Sequence, residues 1–337
     1  MTTAARVRRA RAAFPAAVIV LLAVSVLSLI VGARPIAPAT VWDALTHFDP
    51  ASADHVVVLT QRLPRTIIGV LAGAALALAG TLMQGLTRNP LADPGLLGIN
   101  AGASVAVLMA ITLAGITKPA GFVWFAFAGA AVAAVLVAVI GSRGPDGSNP
   151  AKLALTGAAV TAGLTAVITL ILTTSIRAFD VYRYWQVGGL TARGLDSVAL
   201  VVAPLLVGGV IAFVCARGLD LLALGDATAT ALGHNVARTR VLGITATVLL
   251  CGGATAIAGP IVFIGLVIPH LLRGILGGDY RDLLLVGAPA GAALLLAADV
   301  IGRVIAPPGE VQAGLVVAFL GAPMLIWLVL RRRRVVL

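Results

Sequence analysis

The chain has few charged residues for its length. Only 11% of its 337 residues are Asp, Glu, Lys or Arg, whereas roughly a quarter are charged in soluble domains. Hydrophobic residues make up 60% of the sequence, and the mean hydropathy is +1.07. A helical membrane span needs roughly 20 predominantly apolar residues. The composition therefore indicates a chain with many spans and little else.

Lysine is the scarcest basic residue, and neither of the two lysines lies in the sequence context that ATP hydrolysis requires. The two lysines, Lys118 and Lys152, are preceded by threonine and alanine. Neither therefore belongs to the Gly-Lys-Ser/Thr element of a phosphate-binding loop. The HExxH and GxSxG motifs of two large enzyme classes are also absent from the sequence. We expect no catalytic residues here, and any ATP hydrolysis must come from another polypeptide.

Cysteine occurs only twice, which argues against a disulfide framework or a metal centre. Cys215 and Cys251 lie in apolar runs and have no CxxC partner or histidine at ligand spacing. We expect two buried, inert thiols. His47 and His55 are isolated in a polar segment and are expected to be solvated, while His270 is expected to pack or to form hydrogen bonds. The sequence therefore predicts no metal site and no cofactor.

Apolar runs alternate with short polar segments along the chain. Ten runs occur, at about residues 14–32, 66–86, 95–113, 122–141, 153–174, 198–215, 241–258, 261–276, 283–301 and 311–330. The eighth is short and contains Pro269, so it is a half-span or a kinked helix held by neighbouring protein. Glycines spaced four apart, at 69/73, 98/102 and 287/291, predict close helix packing. The pattern predicts an all-α bundle with both termini on one side.

Basic residues predict the orientation of this bundle. With the N-terminus inside, sixteen of the 24 Lys and Arg residues fall in inner segments and eight in outer ones, as the positive-inside rule requires. The arginine-rich segment 6–11 could also begin a signal peptide, but the following run is long enough to span, so we interpret it as an uncleaved first helix. Orientation explains the net charge of +11 better than nucleic-acid binding does.

Several segments carry a more specific resemblance. Residues 62–104 contain RLPR, RNPLADPGLLG and NAGAS, residues 254–273 read ATAIAGPIVFIGLVIPHLLR, and residues 298–305 read ADVIGRVI. These segments closely resemble the FecCD-type permease family, the membrane subunits of bacterial ABC importers for iron–siderophores, haem and vitamin B12. The resemblance covers nearly the whole chain and is closest to permeases for ferric-catecholate (ferric-enterobactin-type) siderophores.

The resemblance implies an architecture and a set of partners. It implies one transmembrane domain over residues 1–337, with ten helices in two inverted five-helix halves and both termini in the cytoplasm. It implies a permease subunit for iron(III)–siderophore in the inner membrane, with vitamin B12 or haem as the alternative substrate. The partners would be two ATPase subunits, a second permease in a heterodimer or a homodimer, and an extracytoplasmic siderophore-binding protein.

The resemblance also implies a docking site at the outer face. RLPR places Arg62 and Arg65, and ADVIGR places Arg303, where the family's arginines pair with glutamates of the binding protein. Alternatively, each arginine only reaches towards the interface from a span end. Asp299 lies four residues before Arg303 and is expected to form a supporting ion pair with it. An ion-coupled transporter would need acids near the bilayer centre, and Asp299 is too near the outer end of its run.

Two inner segments complete the predicted machinery. Residues 217–240 form a loop with a short helix, capped near Asp226 and ended at Gly233, which the resemblance implies is the cytoplasmic coupling element. An amphipathic surface helix without a partner is the alternative. The predicted coupling residues are Leu224, Gly225, Asp226, Ala231, Leu232, Gly233 and His234. The predicted inner gate comprises Asn89, Pro90 and Leu91 with the loop residues Asn149 and Pro150.

Threonines of the fifth apolar run are the candidates for lining the route. They are Thr156, Thr161, Thr165 and Thr169. The alternative is that their hydroxyls bond to the carbonyl groups of their own helix. The sequence does not distinguish the two.

Overall fold

The computed structural model describes residues 3–32, 34–143, 150–191, 194–306 and 309–333, and these residues are helical with no strand among them. The helices are α1 (Thr3–Ile30), α2 (Pro38–Thr46), α3 (Ala53–Val57), α4 (Leu63–Leu86), α5 (Ile99–Leu113), α6 (Pro119–Ser142), α7 (Pro150–Thr174), α8 (Ile176–Gln186), α9 (Leu195–Ala223), α10 (Asp226–Ala231), α11 (Val236–Ala258), α12 (Ile264–Leu276), α13 (Tyr280–Ile305) and α14 (Ala313–Arg333). A π-helical turn, Val58–Arg62, leads into α4, and a 3-10 turn, Pro94–Leu97, precedes α5.

Each apolar run predicted from the sequence overlaps one of these helices, and the third, eighth and tenth runs begin two to four residues before their helices. Within the described residues, 7 helical segments are long and apolar enough to cross a membrane, namely Ala12–Ile30, Ala53–Leu86, Gly121–Ser142, Ala151–Thr174, Leu195–Ala223, Val236–Ala258 and Tyr280–Ile305. Three apolar helices are shorter, namely Ile99–Leu113, Ile264–Leu276 and Ala313–Ile326. These three correspond to the third, eighth and tenth runs.

Helix α4 forms the centre of the bundle. It packs against α9, α11, α12 and α13, and most of its side chains are buried, including Ile68, Leu76 and Leu82. Because apolar residues surround it on all sides, α4 needs no polar face, which explains its nearly continuous apolar sequence. Cys215 and Cys251 are buried and free, as predicted.

Glycines allow the helices around α4 to approach closely. A Cβ atom added to Gly80 would overlap the backbone of Gly265, and one added to Gly73 would overlap that of Gly291. Gly102 of α5 contacts α6 in the same way. Small residues at helix contacts provide the dispersion attraction that replaces the hydrophobic drive in lipid. The predicted close packing is confirmed at positions 73, 102 and 291.

The polar segment before α4 is more ordered than the sequence suggested. It contains α2 and α3, and the ring of His55 is buried between them. Nδ1 of His55 accepts a hydrogen bond from the backbone N–H of Asp49 at 3.1 Å, and Nε2 lies 3.4 Å from the carboxylate of Asp43. The prediction of a solvated side chain is therefore wrong for His55, whereas His47 is exposed as expected.

Candidate functional site

The two RLPR arginines lie where the π-helical turn meets α4. Arg62 ends the turn, and Arg65 lies three residues later in the first turn of α4. Pro64 between them lies just after the π-helical turn, where the changed hydrogen-bond pattern accommodates a residue without an N–H group. Arg303 comes from the C-terminal end of α13, one turn after Asp299. Because α4 and α13 pack along their lengths, the three guanidinium groups meet at one end of the bundle.

Asp299 is fully buried and accepts hydrogen bonds from two of these arginines. Its carboxylate lies 2.9 Å from Nε and 2.8 Å from Nη2 of Arg65, and 3.0 Å from Nε of Arg303. The predicted pair between Asp299 and Arg303 is confirmed. Arg65 as a second partner was not predicted, since 234 residues separate it from Asp299. Two charge-assisted contacts offset the cost of burying the carboxylate.

Two of the arginines also hold the end of α1. Nη1 of Arg62 donates to the carbonyl oxygens of Leu29 and Ile30 at 2.7 and 2.6 Å, and Nη1 of Arg303 donates to that of Ser28 at 2.6 Å. The last carbonyls of a helix lack intrahelical partners and carry the negative end of its dipole. The guanidinium groups therefore cap α1 and attach it to α4 and α13.

The three arginines line one pocket of about 240 Å³ together with Arg34 and Glu310. Oε2 of Glu310 lies 2.7 Å from Nη1 of Arg65, and the Glu310 side chain is 29% exposed. Arg62, Arg65 and Arg303 are themselves buried, and each bonds to other parts of the chain. The pocket has one partly exposed acid facing a set of fixed arginines.

Asp226 forms a corresponding ion-paired contact at the opposite end of the bundle. Its Oδ2 lies 2.6 Å from Nη2 of Arg240 in α11, and its Oδ1 lies 3.6 Å from Nη1 of Arg88, just after α4. Arg88 has a φ of 50°, which is uncommon for a residue other than glycine. Asp226 therefore connects α10 to both α11 and the turn after α4.

The predicted short helix of residues 217–240 is present, with a different start. Gly225 (φ 98°) is the residue before the helix, and Asp226 is the first helical residue rather than its cap. Gly233 (φ 78°) follows the helix as predicted. Leu224 and Leu232 are 60% and 62% exposed, so an apolar surface flanks α10. Sequence reasoning missed the ion pairs of Asp226 because their partners are distant in the chain.

The first half of the predicted gate is a stiff turn beside Arg88. The side chain of Asn89 accepts a hydrogen bond from the N–H of Leu91 at 3.0 Å, and the missing N–H of Pro90 prevents a helix from continuing. Of the second half, Asn149 lies outside the described residues, and Pro150 begins α7.

Asp93 stabilises the next part of this turn. Its side chain accepts a hydrogen bond from the N–H of Gly95 at 2.8 Å, which caps the 3-10 turn. Burial raises the pKa of Asp93 above its ordinary value, and the hydrogen bond from Gly95 opposes this shift. The following Gly98 has a φ of 70°, which lets the chain enter α5 directly.

The threonines of α7 bond to their own helix. Oγ1 of Thr165 donates to the carbonyl of Thr161 at 2.8 Å, and Oγ1 of Thr169 donates to that of Thr165 at 3.0 Å. This is the alternative considered from the sequence, and it is confirmed for these two residues. Only 6% of the most apolar window of Ala151–Thr174 is buried. The helix therefore presents an uncovered face.

Replacing Asp299 tests the importance of its contacts with Arg65 and Arg303 for stability. We expect Asp299→Asn to lower the free energy of unfolding by about 3–5 kcal/mol, because two buried guanidinium groups lose their counter-charge. The matched control is Asp180→Asn, which removes an exposed ion pair with Arg183 and should cost less than about 1 kcal/mol. Denaturant unfolding in detergent micelles measures both. Equal losses for the two variants would contradict the assignment.

Comparison with known proteins identifies one matching family and relatives that are permease proteins of iron transport systems. The model of the FecCD transport family matches residues 20–331. The ferric enterobactin transport system permease protein FepD of Escherichia coli (strain K12) is 48% identical over 325 residues, which cover 96% of each chain. The iron(3+)-hydroxamate import system permease protein FhuB of Bacillus subtilis (strain 168) is 39% identical, covering 91% of this chain and 80% of the relative.

A solved structure has a similar fold. It belongs to an ABC transporter assigned to the metal-chelate type, in an inward-facing conformation. The match has a TM-score of 0.82 at 26% sequence identity and covers 94% of this chain and 98% of that one. The helices described above therefore follow the course of a chain of that transporter over almost their whole length.

Proposed function

The chain belongs to the FecCD transport family, and from this membership we propose that it is the permease subunit of an ABC importer for iron(III)–siderophore. The observation that carries the proposal is the 48% identity, over 96% of both chains, with a permease for ferric enterobactin. The importer would lie in the inner membrane of a bacterium. With no phosphate-binding loop in this chain, two partner ATPase subunits would hydrolyse ATP.

We infer that the three shorter apolar helices also insert in the membrane, which makes ten spans. Buried side chains of α12, such as Leu266 and Ile268, face the protein rather than lipid, and a short helix is tolerated at membrane depth where protein surrounds it. Ten spans form two inverted halves of five and place both termini in the cytoplasm. The arginine-rich segments at both ends of the sequence support that orientation.

Residues 224–234 are the proposed contact with the ATPase subunits. The exposed Leu224 and Leu232 provide apolar contact area on either side of α10. A short helix at the membrane face would give a soluble partner a rigid surface to bind. Asp226 would then transmit displacement of α10 to Arg88 and to the turn at Asn89, Pro90 and Leu91. We propose that this turn, with Asn149 and Pro150, forms the inner gate of an alternating-access cycle.

Arg62, Arg65 and Arg303 are the proposed docking site for the extracytoplasmic siderophore-binding protein. With Arg34, they place four guanidinium groups around one pocket, against the three carboxylates of Asp54, Asp299 and Glu310. A carboxylate of the binding protein would compete with the partly exposed carboxylate of Glu310 for the guanidinium group of Arg65. Charge complementarity of this kind favours rapid and oriented association.

A second permease subunit is the proposed partner of the uncovered face of α7. Leu155 and Leu170 are 74% and 63% exposed on this helix. Pairing two permeases along α7 would enclose a route between them. We infer a homologous heterodimer, which the family resemblance favours.

Uptake of radioactive iron tests the function directly. Cells that lack this gene should fail to accumulate iron supplied as a ferric catecholate, and the intact gene should restore uptake. Excess unlabelled ferric catecholate should compete, and depletion of ATP should abolish uptake. Gene-dependent uptake of labelled haem or cobalamin instead of iron would overturn the proposed substrate while leaving the importer class intact.

A double-mutant cycle at Asp226 tests the proposed transmission. We expect Asp226→Asn to lower transport several-fold while ATP hydrolysis by the assembled complex continues. Arg88→Gln should lower transport less, because Asp226 keeps its contact with Arg240, and the double variant should be no worse than Asp226→Asn alone. Arg238→Gln, on the exposed face of α11, is the matched control. Additive losses of transport in the double variant would contradict the proposal that Asp226 and Arg88 act through their contact.

A further inference from the structure

A long groove runs along the outside of the bundle between α9 and α4. It has a volume of about 940 Å³. Leu71 and Leu78 of α4 and Leu250 of α11 form its floor, and Leu206 and Phe213 of α9 form its wall. Leu206 and Phe213 are 64% and 41% exposed. The groove is open on the side where α9 would face lipid.

One end of the groove is charged. Arg217 and Asp220 of α9 line it together with Asp279 and Arg281 at the start of α13. The acids are engaged with the protein, since Asp220 accepts from the N–H of Tyr280 at 3.1 Å and Asp279 accepts from that of Arg281 at 3.0 Å. Both arginine side chains are exposed. Asp220 and Asp279 are only half exposed, so the two guanidinium groups are the most accessible of the four charges at this end.

The charged end lies at the proposed cytoplasmic face. Gly218, next to Arg217, packs against His234 and Thr239 of the loop that carries α10. From Val202 to Ala216 the α9 side of the groove is lined without a charged residue, and 14 residue steps correspond to about 21 Å of helix. That is more than half of the roughly 30 Å of hydrocarbon in a bilayer. A fatty acyl chain from the inner leaflet fits this length.

We propose that the groove binds one anionic phospholipid of the inner leaflet. Arg217 and Arg281 would hold its phosphate, because a guanidinium group forms paired hydrogen bonds with phosphate oxygens. An acyl chain would lie on Leu71, Leu78 and Phe213. The charged residues lie at one end of the groove only, at the depth of the lipid headgroups. This distribution matches a lipid with one charged head better than it matches a second helix. The proposal rests on the orientation proposed above, in which residues 217–240 are cytoplasmic.

Native mass spectrometry of the purified importer complex tests this site. With phosphatidylglycerol and phosphatidylcholine added in equal amounts, we expect one phosphatidylglycerol per copy of this subunit to be retained. The double variant Arg217→Gln/Arg281→Gln should lower its retention by roughly tenfold, because each arginine beside an anionic lipid adds several-fold to the affinity. Arg238→Gln, an inner-face arginine away from the groove, should retain the lipid.

A second variant separates lipid binding from folding. Gly209 lines the groove, and a Cβ atom added there meets no atom within 4 Å, so Gly209→Leu should fold and fill the groove. We expect this complex to keep its subunits and lose the phosphatidylglycerol. Loss of a permease subunit would identify the groove as a protein interface, and equal retention of phosphatidylcholine would exclude a site for anionic lipid. Either result would overturn the proposal, and neither depends on transport.

Discussion

The buried carboxylate of Asp299 organises the end of the bundle where α4 begins and α13 ends. A lone buried charge would cost several kcal/mol, and Asp299 avoids that cost by accepting hydrogen bonds from Arg65 of α4 and Arg303 of its own helix. Arg303 in turn holds the carbonyl end of α1 at Ser28. One carboxylate thus joins three helices, and it fixes the arginines around the pocket that Glu310 shares.

A similar but weaker arrangement of one carboxylate and two arginines occurs at the opposite end of the bundle. Asp226 lies between Arg88 and Arg240, but its side chain is 41% exposed, so water screens these pairs more strongly. Helix α4 connects the two ends, with Arg65 in its first turn and Arg88 two residues after its last. Its 24 residues correspond to about 36 Å. The cluster around Asp299 is therefore held more strongly than the contact of Asp226.

Sequence reasoning succeeded where the information was local. Apolar runs predicted the helices, and the spacing of four predicted the pair between Asp299 and Arg303. It failed for contacts between distant segments, such as those of Arg65 with Asp299 and of Arg88 with Asp226, because periodicity within a helix carries no information about its neighbours. The burial of His55 was missed for the same reason, since Asp43 and Asp49 enclose it only after α2 and α3 have folded.

The roles of the outer arginines came from the family resemblance, whereas their geometry came from the structure. The resemblance named the arginines of RLPR and ADVIGR as docking residues without indicating that they are buried or that two of them cap α1. The structure adds Glu310, whose carboxylate occupies the exposed side of Arg65. Docking and structural support are therefore compatible, because fixed arginines present a preorganised positive surface to an acidic partner.

The affinity of the siderophore-binding protein for the Glu310→Gln permease tests the docking surface most directly. Removal of this competing acid raises the positive potential of the pocket, so the account predicts tighter binding at low salt and a steeper loss of binding as salt increases. Lys118→Gln, which removes an exposed basic side chain elsewhere on the outer face, should leave the affinity unchanged. Unchanged or weaker binding by Glu310→Gln would contradict the assignment of this pocket as the docking site.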